Sequence, residues 1–210
     1  NIEKINSTLM ILLLIVVVFN SFQIAGLGNG NLVTGQIIGA EETTSIIPTG
    51  VPEVYGKELG ISYDDVSAST PQKADATIGV MSKIDRTVEL EGDDLERYIR
   101  IASQISCEYC CGAESIIFKD GKAACGCAHS YAMRGLAKYL ITEHGTEFSD
   151  DEILIELGKW KVLFFPGIME GKAKVMESQG ISTDYISLAS NLYRGIEKGQ
   201  TSGGSMVGGC

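Results

Sequence analysis

The 210-residue sequence has no basic run and is short of positive charge: 17 Lys and Arg stand against 27 Asp and Glu, a net charge of −10. A nucleic-acid surface needs clustered Lys and Arg to displace the counterions of phosphate, so DNA and RNA are excluded as partners. Electrostatic docking on anionic lipid is excluded on the same ground. The sequence motifs of common catalytic sites are missing as well. No Gly-x-Gly-x-x-Gly follows a strand pattern, no Gly-Lys-Ser/Thr loop is available to cradle phosphate, and no Gly-x-Ser-x-Gly turn carries a nucleophile. The acid pairs Asp64-Asp65, Asp93-Asp94 and Asp150-Asp151 fall in a linker or at helix starts, where solvated carboxylates are ordinary. These absences lead to a non-enzymatic reading. Proline is scarce at four residues, whereas glycine, at 25, is well above its usual share of about 7%. Long irregular segments are therefore expected. The apolar fraction of 44% still suffices for a true core.

What the sequence does contain begins with an unbroken apolar run of eleven residues, Leu9 to Phe19. Counted from Ile5 to Leu27, the apolar stretch covers 23 residues with polar breaks at Asn6, Ser7, Thr8, Asn20, Ser21 and Gln23. At about 1.5 Å per residue a helix of that length reaches across a hydrocarbon core of about 30 Å, which the eleven-residue run alone does not. Three readings are open: a secretory signal, an uncleaved signal-anchor with Lys4 in the cytoplasm, and an assembly helix. Asn1 stands where an initiator methionine is expected, a pattern that prepilin-type processing leaves. In that respect the N-terminus resembles pilins, although the Gly-Phe-Thr-Leu-Ile-Glu type start is absent. The resemblance implies self-association into a filament; the anchor reading implies a membrane as partner. Each places the bulk of the chain outside the cytoplasm, membrane-anchored or on a surface filament.

The rest divides by composition. Residues 28–75 read as an acidic Gly- and Pro-rich arm; six acids oppose the single base Lys57 between positions 28 and 70. Within it, Ile47 to Gly56 carries too many apolar residues for a pure spacer and is expected to pack on the domain or on a neighbouring subunit. Residues 76–198 form the main domain. Residues 76–90 suit a short strand or an early helix. Asp93 with Glu96 reads as a capping box, followed by Leu95, Tyr98, Ile99, Ala102 and Ile105 at helical spacing. Ser115 to Ala124 reads as a β-hairpin turning at Asp120-Gly121. Further helices are expected over Ala128–Thr142, from Asp150 behind a Ser149/Glu152 capping box to about Phe165, over Gly167–Ser178 and over Asp184–Tyr193, with Pro166 as a break. Residues 199–210 form a tail with five glycines in twelve residues. The fold class is mainly α: an N-terminal hydrophobic helix plus a small helical domain with one short β-hairpin and a cysteine knuckle cluster.

All six cysteines follow residue 106, and five fall within 21 residues as Cys107-x-x-Cys110-Cys111 and Cys125-x-Cys127-x-His129. Two short knuckles separated by thirteen residues match the layout of a tetrahedral metal site. Cys125 and Cys127 open a helix, whose positive N-terminus favours thiolate over thiol. Cys107, Cys110, Cys125 and Cys127 are the leading ligands, with Cys111, His129 and Cys210 behind them. His129 lies four residues before Met133 and seven before Leu136 and therefore points inward, as a core side chain or as a ligand. His144 is placed to meet the negative end of the same helix. Four thiolates suit Zn²⁺ or Cu(I), and less well an iron–sulfur cluster. Met133 and Met169 read as core filler, whereas Met206, in the tail, reads as part of a soft-ligand arm that folds back. Disulfide pairing is the rival, since an exported chain with an even number of cysteines usually pairs them. Redox-active thiols are a third reading, weakened by the missing βαβ pattern.

The Cys125-Gly126-Cys127-Ala128-His129 segment resembles the PCYCGC-motif proteins, bacterial membrane-anchored lipoproteins. Ala123-Ala124 departs from that motif. The stretch from Ser106 to Pro166, including Gly158-Lys159-Trp160-Lys161, is similar to archaeal membrane-anchored cysteine-rich proteins. The similarity extends from Ile47-Pro48-Thr49-Gly50-Val51-Pro52 to the Cys210 tail. Both resemblances imply an exported cysteine-rich module that binds metal, and neither implies a reaction.

Overall fold

A computed structural model of the protein describes residues 45–200, 204 and 206–209. The hydrophobic stretch Leu9–Phe19, the first part of the arm and Cys210 lie outside the described residues. Among the described residues the fold is helical: α1 Gly56–Leu59, α2 Pro71–Thr87, α3 Gly92–Ala102, α4 Ala128–His144, α5 Asp150–Phe164, α6 Pro166–Ser178 and α7 Tyr185–Ala189. Two 3₁₀ turns, Tyr63–Asp65 and Asn191–Tyr193, complete it. None of these helices is long and apolar enough to cross a membrane.

α4 is the axis of the core. Leu136, Ala137 and Leu140 are fully buried on it, and α2, α3 and α5 pack around it. α2 and α4 approach closely because position 135 has no side chain. A β-carbon there would lie 1.9 Å from the Met81 carbonyl oxygen, so any larger residue forces the helices apart. α5 presents Ile153, Leu157, Trp160 and Phe164 to the core, all wholly buried. Its start is the capping box expected from the sequence: the Ser149 hydroxyl accepts from the Glu152 N–H, and the Glu152 carboxylate accepts from the Ser149 N–H at 2.7 Å. Pro166, which lacks the N–H that would continue α5, becomes the first residue of α6.

Residues 45–70 pack on the domain, one of the two placements open to the Ile47–Gly56 segment. Tyr55, Ile61, Tyr63 and Val66 are buried. Tyr55 donates to the Glu156 carboxylate at 2.6 Å, Tyr63 donates to the same oxygen, and the Trp160 indole N–H donates to the Tyr55 hydroxyl at 2.7 Å. The segment is thus tied to α5 by a buried polar network whose members satisfy one another.

Three local expectations are corrected. The Ser115–Ala124 β-hairpin does not form as strands; it retains a single isolated bridge, Ile117 to Ala123, around a tight turn. Its ladder is diverted, because the Ile116 N–H bonds to Ile105 and the Ile116 carbonyl also serves Arg134. Only three apolar residues line one limb and small or polar residues line the other, so cross-strand packing is too thin to sustain a ladder. Asp93 does not cap α3: the helix begins two residues earlier than that cap implies, at Gly92, with Glu91 as N-cap and no side-chain cap bond. His144 ends α4 but is paired sideways, with Glu147 at 2.9 Å and Glu58 at 3.0 Å. Two full carboxylates attract it more strongly than the fractional charge of a helix end.

Candidate metal centre

The first knuckle is the loop that follows α3. The Cys107 N–H donates to the Ala113 carbonyl at 3.2 Å, closing residues 107–113 into a tight turn with Gly112 in the left-handed region at φ 70°. The second knuckle leads into α4. Cys127 is the N-cap of that helix, and its sulfur accepts from the Ser130 N–H at 3.4 Å. The Arg134 guanidinium holds the knuckle from beneath: it donates to the Cys125 carbonyl at 2.9 Å and pairs with Asp85 of α2, also at 2.9 Å. Lys138 reaches the other Asp85 oxygen at 2.9 Å. The knuckle's backbone is therefore fixed to both α2 and α4.

The structure brings together six of the seven expected ligands. Their donor atoms form two triads, Cys107–Cys111–Cys125 and Cys110–Cys127–His129, each with all ligand atoms within 4.8 Å of one another. The five described cysteines are free thiols. Cys107 Sγ lies 3.4 Å from Cys111 Sγ, and Cys110 Sγ lies 3.9 Å from His129 Nδ1. The Ser130 hydroxyl joins the triads, 3.0 Å from Cys107 Sγ and 3.3 Å from Cys127 Sγ. Cys107, Cys110, Cys127, His129 and Ser130 line a cavity of about 10 Å³, room for one water-sized sphere. The quartet Cys107, Cys110, Cys125 and Cys127 is thereby divided between the triads, with Cys111 and His129 completing them.

His129 is buried, as its helical position implies, and its ring rests on Phe164 and Phe165 with centroids 4.8 and 5.0 Å away. Its Nε2 lies 3.0 Å from the Val207 carbonyl. A carbonyl only accepts, so Nε2 carries the proton and the lone pair of the neutral ring is on Nδ1, facing Cys110. That is the tautomer a ligand needs.

Charge in the cluster is uneven. The neighbouring thiols, Cys107 first and then Cys110, hold Cys127 far below the usual thiol range. The nearby Cys127, with burial, pushes Cys107 and Cys110 upward. Burial raises Cys125, and Cys111 adds to that rise. For Cys111 burial also acts upward, but its neighbours Cys125, Ala113 and Cys107 outweigh it and the net shift is down. The lowered group is the one at the N-cap of α4, where helix N–H groups favour a thiolate.

Beside the cluster lies a buried ionic network that sequence reasoning missed. Glu108, inside the first knuckle, accepts from Lys172 at 3.1 Å, from Lys161 at 3.2 Å and from Ser106 at 3.0 Å through one oxygen. Its second oxygen accepts from the Gly195 N–H at 2.7 Å. Burial raises the Glu108 carboxyl, yet Lys161 and Lys172 overcome that and hold it at about 2. Burial lowers Lys161 to about 8. The one signal available in advance was a charged residue between two knuckle cysteines; nothing announced that Lys161 and Lys172 would converge on it.

The class these features define is a small helical domain with two cysteine knuckles meeting at a helix N-terminus. No family model matches the chain, and neither a curated protein nor a solved structure matches it. The cysteine cluster can hold a metal ion; Met133 and Met169 are buried in the core, whereas Met206 is 42% exposed beside the cluster.

Proposed function

We propose that this protein is a non-enzymatic soft-metal-binding module, displayed outside the cytoplasm on its N-terminal hydrophobic segment. One observation carries the reading: five thiols and an imidazole from two separate knuckles converge in two compact triads, and Cys107, Cys110, Cys127 and His129 among them line an ion-sized space. Unligated thiols are weak donors and acceptors, and packing them together yields little unless a cation replaces their protons. Zn²⁺ and Cu(I) suit this donor set best, and an iron–sulfur cluster less well. Each thiol that ligates releases its proton to solvent, so affinity falls with falling pH.

The test is elemental analysis and intact mass on chain purified without chelators, with Cys125→Ser alongside. Stoichiometric zinc or copper with unoxidised thiols, reduced in the variant by the share held at the Cys107–Cys111–Cys125 triad, is the expected result. Metal-free protein whose mass shows oxidised cysteines would overturn it. The 3.4 Å separation of the Cys107 and Cys111 sulfurs supports a second reading, in which the knuckles are stapled by disulfides. In that case the N-terminal segment would make the chain a filament subunit, and filaments in the absence of detergent are the observation to seek.

A further inference from the structure

The C-terminal tail folds back over the second triad. Met206 Sδ lies 3.6 Å from Cys110 Sγ. The next residue, Val207, is buried, and its N–H donates to the Phe164 carbonyl at 2.9 Å. Its carbonyl accepts from His129 Nε2. Two residues on, the Gly209 N–H donates to the Asp75 carboxylate of α2 at 2.7 Å. Gly209 has φ 79°, and a β-carbon there would lie 3.0 Å from His129 Cε1, so glycine is what lets the tail lie flat on the imidazole. The tail is therefore docked at three points, on α5, on His129 and on α2.

That docking does two chemical things at once. Through Val207 it sets the His129 tautomer and aims Nδ1 at Cys110. Through Met206 it adds a thioether at the open side of a triad that otherwise offers only three donors. Resting on the reading of the cluster as a metal site, we infer that Met206 is a ligand of the Cys110–Cys127–His129 triad and makes that site selective for Cu(I) over Zn²⁺. Thioether sulfur is a soft donor that binds Cu(I) well and contributes almost nothing to Zn²⁺, whereas thiolate and imidazole serve both. The tail acts as a strap: seated, it supplies the fourth donor and fixes the third; lifted, it withdraws both.

The experiment compares the full chain in detergent with Met206→Leu, which keeps the volume of the side chain and removes only sulfur. Cu(I) is titrated anaerobically against bathocuproine disulfonate, and Zn²⁺ against a chromophoric chelator. Met206→Leu is expected to weaken one equivalent of Cu(I) at least tenfold while Zn²⁺ affinity stays within about twofold, a split that follows from the thioether's preference for soft ions. Asp75→Ala, which frees the tail without touching a ligand, is expected to weaken the same Cu(I) equivalent and to accelerate its loss to the chelator. Equal Cu(I) affinity in Met206→Leu and the parent chain overturns the strap. An equal loss of both metals also overturns it, since Met206 would then serve the fold. A parent chain that binds neither metal overturns the reading of the cluster itself, and its failure is distinguishable because it appears before any substitution is made.

Discussion

Along α4, Leu136, Ala137 and Leu140 are sealed between neighbouring helices, whereas the 21 residues from Cys107 to Cys127 contain no helix and are held by scattered turns. Both regions are stable packing problems, but they are solved differently. In the helical region each element satisfies its own backbone and contributes an apolar face, so burial is the main force that holds it together. In the knuckles the backbone is irregular, and its order rests on Arg134, on the Glu108–Lys161–Lys172 network and on whatever joins the sulfurs. The comparison separates a part held mainly by apolar burial from a part held by cross-links between side chains.

The largest effect should come from breaking those cross-links at Glu108. Glu108→Ala leaves Lys161 and Lys172 buried without a counter-charge, and a loss of about 3–5 kcal/mol is expected in chemical unfolding. The same carboxylate gives an acid signature. Its value in the fold lies below the usual carboxylate value, so its contribution is complete above about pH 4.5 and is lost as pH falls toward about 2. Unfolding midpoints measured across that window should fall in the parent chain, and Glu108→Ala should remove this component.

Leu136→Ala should cost about 2–5 kcal/mol through the cavity it leaves. Because the loss is in the region held mainly by apolar burial, it should be the same with and without metal. A loss that changes on metal loading would break the division between the two regions.

Metal removal sharpens that division. With chelator, hydrogen exchange should accelerate across residues 105–127 while the buried turns of α4 and α5 keep their protection. Cys125→Ser should reproduce part of that pattern and leave the chain less sensitive to the chelator, because only the Cys107–Cys111–Cys125 triad loses a ligand. Uniform exchange over the whole domain would show that the knuckles and the helices unfold as one unit. The smallest effect belongs to Ser149→Ala, which removes the capping box of α5 and should cost about 1 kcal/mol, with metal content unchanged.

Much of the helical region was legible in advance. The Ser149/Glu152 box, the break at Pro166 and the inward position of His129 all follow from local spacing, and all are present. Local rules failed where a long-range partner competed. The Ser115–Ala124 segment has the turn residues of a hairpin, but Ile105 takes the Ile116 N–H that would extend its ladder, and Arg134 shares the Ile116 carbonyl. His144 has the position of a dipole partner, but Glu58, 86 residues away in sequence, reaches it first.

By itself the sequence determined which side chains could do chemistry: thiols in two knuckles, an inward imidazole and a thioether in a glycine-rich tail. It determined this because knuckle spacing, helix phase and glycine content are local properties. Only the tertiary structure decided how those donors are grouped. It pairs Cys111 with the buried half of the cluster, places His129 with Cys110 and Cys127, and lays Met206 beside Cys110 across 96 residues of chain. It also buries Glu108 between two lysines from α5 and α6. Such groupings depend on which helix faces meet when apolar surface is buried, and that is a property of the packed core rather than of any segment within it.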